Sequence, residues 1–100
     1  MGLKTFEPAY GSGITISATT SSARGAITNA LFTESLVITN TGSDFAYIKP
    51  GNSDVTATSA DYCLLPGQQV SITWSRDVTH VAALAGTSST SIHVIPGNGF

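Results

Sequence analysis

The sequence predicts an all-β fold: an antiparallel β-sandwich, jelly-roll-like, with an immunoglobulin-like sandwich as the alternative topology. Three observations carry this. In run after run, apolar and polar residues alternate at period two, which gives a strand one core face and one wet face. These runs recur at roughly eight to twelve residues, the rhythm of a sandwich or barrel. Gly, Pro, Asn and Ser lie between them, whereas Glu, Lys, Gln and Met are scarce and no window sustains the apolar spacing of an amphipathic helix.

Residues 1–13, with Phe6, Pro8, Tyr10, Gly11 and Gly13, show no alternation and read as an extended N-terminal arm ahead of a single domain over 14–100. Strands are then expected at Ile14 to Ala18, Ser35 to Asn40, Phe45 to Lys49, Val55 to Thr58, Tyr62 to Leu65, Val70 to Ser75, Thr79 to Leu84 and Ser91 to Ile95, with Gly25 to Thr28 as a less regular ninth. Ala23 to Phe32 is the one segment that can be argued as a short helix. The clearest strand is Val70 to Ser75: Val70, Ile72 and Trp74 share one face, and the hydroxyls of Ser71, Thr73 and Ser75 share the other. The core is expected to draw on Ile14, Ile16, Leu36, Ile38, Ile48, Leu64, Val70, Ile72, Trp74, Val81, Ile92 and Val94.

Turn chemistry separates these runs. Pro50-Gly51, Pro66-Gly67 and Pro96-Gly97 each put Pro where φ near −65° is wanted and Gly where φ is positive, the type II pattern. Asn40-Thr41-Gly42-Ser43 joins two strong runs through few residues and predicts a hairpin. Gly86 to Thr90 is made of small residues and reads as an exposed hairpin tip.

Charged residues make up 10% of the chain, against about a quarter in soluble proteins generally. The missing polarity comes from 27 Ser and Thr. Four dispersed basic residues (Lys4, Arg24, Lys49, Arg76) and a net charge of −2 cannot form the cationic stripe that nucleic acid requires, nor a polybasic membrane anchor. No apolar stretch is long enough to span a membrane, and the opening Met-Gly-Leu-Lys-Thr-Phe lacks the apolar run of a secretory signal. It also fails the myristoylation pattern at Phe6. The lone Cys63 cannot form an internal disulfide, which suits synthesis in a reducing cytoplasm. A core must therefore hold one hundred residues without staples, and association with partners is expected to add stability.

No motif for catalysis, cofactor or metal binding emerges. His80 and His93 have no ligand partner at metal-site spacing; His93 alternates with Ile92 and Val94 and is expected to face solvent. Asp77, three residues before His80, is placed where a carboxylate can orient an imidazole, but on an extended chain that spacing more often marks a turn leading into a strand. Cys63 lies in the apolar run Tyr62-Cys63-Leu64-Leu65 and is expected to be a buried, inert thiol. Gly11-Ser12-Gly13 lacks the third glycine and the following helix of a dinucleotide site. For a sugar platform, Trp74 shares its face with core residues, which leaves Tyr10, Tyr47 and Tyr62.

Three segments carry a family resemblance: Val37 to Ile48 (Val-Ile-Thr-Asn-Thr-Gly-Ser-Asp-Phe-Ala-Tyr-Ile), Leu64 to Ile72 (Leu-Leu-Pro-Gly-Gln-Gln-Val-Ser-Ile) and the ending Thr90 to Phe100. In this order they resemble the capsid decoration, or cement, proteins of tailed bacteriophages, over most of residues 35–100. The resemblance implies a structural virion protein on the capsid exterior that bridges neighbouring copies of the major capsid protein. It implies association with itself as a homodimer or homotrimer, with no enzymatic activity, cofactor, nucleic acid or membrane partner. Such proteins work by surface shape, so no active-site residues carry over. Leu3, Phe6, Tyr10 and Phe100 are the candidate apolar contacts, against the competing reading that they fold back on their own sandwich or fray. The alternatives are a fibre or tail accessory module that binds host carbohydrate and, from another class, a small hydrolase.

Overall fold

A computed structural model describes residues 7–27, 35–73 and 78–98. Its strands are β1 (Glu7–Pro8), β2 (Ile14–Ala18), β3 (Ala23–Ala26), β4 (Ser35–Asn40), β5 (Ala46–Gly51), β6 (Tyr62–Leu64), β7 (Gln69–Thr73), β8 (His80–Ala85) and β9 (Thr90–Asn98). Among the described residues there is no helix, and hence none long and apolar enough to cross a membrane. Trp74 and Ser75, and residues 28–32 of the segment arguable as a helix, lie outside the described residues; Ala23–Ala26 within that segment is strand.

Every ladder is antiparallel. One sheet runs β2-β9-β4-β7, with β1 continuing the β2 edge along the far end of β9; the other runs β3-β8-β5-β6. Chain-consecutive strands therefore land in opposite sheets almost throughout, and only β5 and β6 are both consecutive and paired among the described strands. This is the jelly-roll order, two Greek keys wrapped face to face. An immunoglobulin sandwich would instead seat consecutive strands side by side within each sheet.

Two expected hairpins become crossovers. Asn40 to Ser43 carries the chain from β4 in one sheet to β5 in the other, and Gly86 to Ser89 carries it back from β8 to β9. The same small turn residues serve both geometries. What selects the crossover is that β4 buries Leu36 and Ile38 while β5 buries Ala46 and Ile48, and the two inner faces must oppose one another.

The alternation places the core as expected. Ile16, Leu36, Ile38, Ile48, Leu64, Val81, Ile92 and Val94 are buried, with Ile14, Val70 and Ile72 packed at its margin. Each large side chain so buried stabilises the fold by about 1.5–3 kcal/mol.

Three further expectations are corrected. Pro66-Gly67 is a turn, with Gly67 at φ 79° and Gln68 N–H bonded to the Leu65 carbonyl at 2.9 Å. Pro50-Gly51 and Pro96-Gly97, however, lie inside β5 and β9. Both prolines sit where the missing N–H has no strand opposite: Pro50 is beyond the β6 end, which stops at Ile48↔Tyr62, and Pro96 falls in the gap between β2 and β1. Val55 to Thr58 is not a strand. Val55 and Ala57 are buried on the outer face of the second sheet against Ala82 and Leu84, so the period-two pattern there reflects a covering loop. Arg24 Nη1 donates to the Val55 carbonyl at 3.2 Å, and Ala57 N–H donates to Ser22 Oγ at 2.9 Å; these bonds fasten the loop down.

Candidate functional site

Of the four candidate contacts, Leu3, Phe6 and Phe100 lie outside the described residues. Tyr10 lies within them and is 85% exposed. Its backbone is held. Glu7 and Pro8 pair with Asn98 and Gly97, Ala9 N–H donates to the Pro96 carbonyl at 2.9 Å, and Ser12 N–H closes a four-residue turn on the Ala9 carbonyl at 3.0 Å. Gly11, third in that turn, has φ 82°, which makes it type II with Tyr10 at the outer corner. Gly11 alone hints at this turn in the sequence; its anchor, Pro96, is remote in the chain. A phenol presented on an already ordered backbone has less entropy to lose on docking, and it couples an apolar ring to a polar tip.

Tyr62 (51% exposed) and Leu65 (55%) are the other large apolar side chains exposed among the described residues, one on each side of Cys63 and Leu64 at the β6–β7 crossover. Cys63, between them in sequence, is exposed and free, which corrects the expectation of a buried thiol. Its neighbour Leu64 points into the core, so the alternation of this strand turns Cys63 outward.

The crossover end of the sandwich is braced from inside. Asn40, fully buried, donates Nδ2 to the carbonyls of Asp44 (2.8 Å) and Leu64 (3.0 Å), and its Oδ1 accepts from Gly42 N–H (3.1 Å) and the Thr90 hydroxyl (2.7 Å). One amide thereby ties three crossovers together. Asp44 completes the brace: its carboxylate accepts Thr87 N–H and Ser88 N–H, both at 2.8 Å, and the Thr87 hydroxyl at 3.1 Å. The backbone N–H groups of Ser88 and Thr87 hold its pKa below the usual 3.8, against an opposing effect of burial. Sequence reasoning missed both residues because Asn-Thr-Gly-Ser-Asp carries the same signal whether it turns a hairpin or braces a crossover.

Beside this brace a groove of about 310 Å³ is lined by Ser17, Ala18, Thr19, Gly42, Ser43, Ser89, Thr90 and Ser91. Its walls are hydroxyls and small side chains, with no aromatic platform and no charged group. Tyr10, Tyr47 and Tyr62 do not line it, and neither do the histidines. Tyr47 instead stacks edge-on with Phe45, ring centroids 5.8 Å apart. His80 Nδ1 shares a hydrogen bond with the Thr79 hydroxyl at 2.8 Å; Asp77 lies outside the described residues. His93, half-buried on the outer face of its sheet, lies against Gly13. Among the described residues no three His, Cys, Asp or Glu side chains gather as a metal-holding group.

No family model matches the chain, and no curated protein matches it. Solved structures align with most of the chain at low identity. It is similar to the Cupin_2 domain of an XRE family transcriptional regulator from Enterobacter cloacae (TM-score 0.48, 11% identity, 95% of this chain and 96% of that one). It is also similar to a structure of Bacillus endospore appendages, described as a novel family of disulfide-linked pili (TM-score 0.43, 19% identity, 98% and 93%). A third is the Drosophila NLP-core, described for pentamer formation and histone binding (TM-score 0.36, 11% identity, 91% and 97%).

Proposed function

We propose that this chain is a structural virion protein that binds the outside of a tailed-phage head and bridges neighbouring subunits of the major capsid protein. The capsid as partner rests on the resemblance of most of residues 35–100 to decoration proteins. The observation that supports a contact-based role is Tyr10, 85% exposed on a turn hydrogen-bonded to β9. An exposed aromatic on an ordered corner suits an anchor that enters a neighbouring surface. The low charge of the chain limits repulsion between close-packed copies, and its Ser and Thr hydroxyls donate and accept at a contact with little desolvation cost. Each copy that spans two subunits raises the effective concentration for its second contact, so modest contacts suffice.

The experiment is co-sedimentation with undecorated heads. Wild-type protein is expected to co-sediment and to raise the heads' resistance to heat, whereas Tyr10→Ala binds more weakly with an unchanged melting temperature. Failure of the wild type to co-sediment with any head tested overturns the capsid reading; equal binding by Tyr10→Ala overturns the role of the turn.

A further inference from the structure

Strand β7 pairs with β4 alone among the described residues, so its other side is an open sheet edge. The orientation of that edge follows from β4. Asn40 N–H donates to the Gln68 carbonyl (3.0 Å) and Gly67 N–H donates to the Asn40 carbonyl (2.9 Å), so Asn40 turns both backbone groups toward β7. In an antiparallel ladder every second residue does the same. Ile38 and Leu36 therefore bond their partners Val70 and Ile72, and the backbone groups of Gln69, Ser71 and Thr73 point away from the sheet.

Natural edge strands are blunted by charge, proline, bulges or shortness. The β7 edge has none of these: its five residues contain no charged residue or proline, and its register against β4 is unbroken. The other edges are less open. β3 carries Arg24, β6 has only three residues, and β2 turns outward only Thr15 and Ser17.

The sequence of β7, Gln-Val-Ser-Ile-Thr, reads the same way in both directions: polar, β-branched, Ser, β-branched, polar. We propose that β7 is the dimerisation edge of this protein, pairing antiparallel with β7 of a second copy about a two-fold axis through Ser71. Ser71 then faces Ser71 of the second copy and the two exchange both backbone hydrogen bonds, while Gln69 faces Thr73 of the second copy. Val70 faces Ile72 of the second copy. Both are half-buried at the core margin in the single chain, and pairing completes their burial. The first sheet becomes continuous across two molecules. This inference does not depend on the capsid reading: loss of head binding leaves it intact.

The test is sedimentation velocity of the full chain over a concentration series, with charge exchange at the axis. Ser71 is exposed, so Ser71→Lys and Ser71→Glu leave the fold in place, as circular dichroism checks. Each variant alone sets like charges face to face and is expected to weaken the dimer by roughly tenfold or more. An equimolar mixture of the two sets Lys against Glu and restores it. Thr15→Lys, on the opposite edge, leaves the dimer unchanged. A chain that stays monomeric to millimolar concentration, a trimer, or a mixture that associates no better than either variant alone overturns the proposal.

Discussion

Thr90 donates its hydroxyl to Asn40 Oδ1 across 2.7 Å in the buried end of the sandwich, although the two residues are 50 positions apart in the chain. The same Asn40 side chain holds the carbonyls of Asp44 and Leu64, so every polar atom of a fully buried amide is used. Removing a shared partner costs more than the bond itself, because each group left behind is buried without water. Asn40→Ala is therefore expected to destabilise the fold by about 2–4 kcal/mol, and Thr90→Val by about 1 kcal/mol. Urea unfolding measures both; a loss below about 1 kcal/mol for Asn40→Ala would contradict the brace.

Asp44 gives the fold an acid-sensitive component. Its pKa is lowered in the native state, so between that value and 3.8 the unfolded chain binds more protons than the folded one. The stabilisation is present above pH 3.8 and is lost as pH falls toward the native-state value. Melting temperature plotted against pH is expected to fall on the acid side, and Asp44→Asn to flatten that fall. An unchanged acid limb in Asp44→Asn would show that other carboxylates account for it.

Two glycines separate crowding from backbone conformation. A Cβ on Gly42 would collide with Thr90 Oγ1 and approach Ser91 N at 2.7 Å, whereas one on Gly67 meets nothing but sits at φ 79°. Gly42→Ala is expected to cost about 1–3 kcal/mol through displacement of the crossover. Gly67→Ala is expected to cost about 1–2 kcal/mol through conformation alone. Gly67→Asn, which tolerates the left-handed region better, is expected to recover part of this loss, and Gly42→Asn none of its own.

The covering loop is a local unit. Val55→Ala removes apolar contact with Ala82 and is expected to cost about 1–2 kcal/mol while speeding proteolysis within residues 52–61. Cleavage elsewhere at the same concentration of protease would argue that the loop is not the site of opening.

Cys63 is exposed and is therefore expected to react fully with a thiol reagent in the native protein, with no need for denaturant. Cys63→Ser is expected to leave the melting temperature within about 1 °C. A thiol that reacts only after unfolding would contradict its placement.

Much of this fold is legible along the chain. The runs Ile14–Ala18 and Ser35–Asn40 fall on β2 and β4 residue for residue, and the inward positions Ile16, Leu36, Ile38, Ile92 and Val94 follow from alternation. Alternation is a local property of the pleat, set by neighbours two apart. The candidate site was less legible. Tyr10 stands out as an aromatic in a region without pattern, but the turn that presents it depends on the Pro96 carbonyl, and Asn40 and Asp44 draw their roles from Thr87, Ser88 and Thr90. Cys63 shares its apolar run with Leu64, yet only the register against Tyr47 and Ala46 says which of the two faces out.

That this chain forms strands, where most of them lie and which side chains most of them bury is written locally, in period, turn residues and hydroxyl placement. Which strands share a sheet is settled only in three dimensions, and with it the jelly-roll order, the reading of Asn40 to Ser43 as a crossover and the edge that β7 leaves open among the described residues. Those outcomes turn on opposing two apolar faces across a common core, and no short stretch of chain contains both.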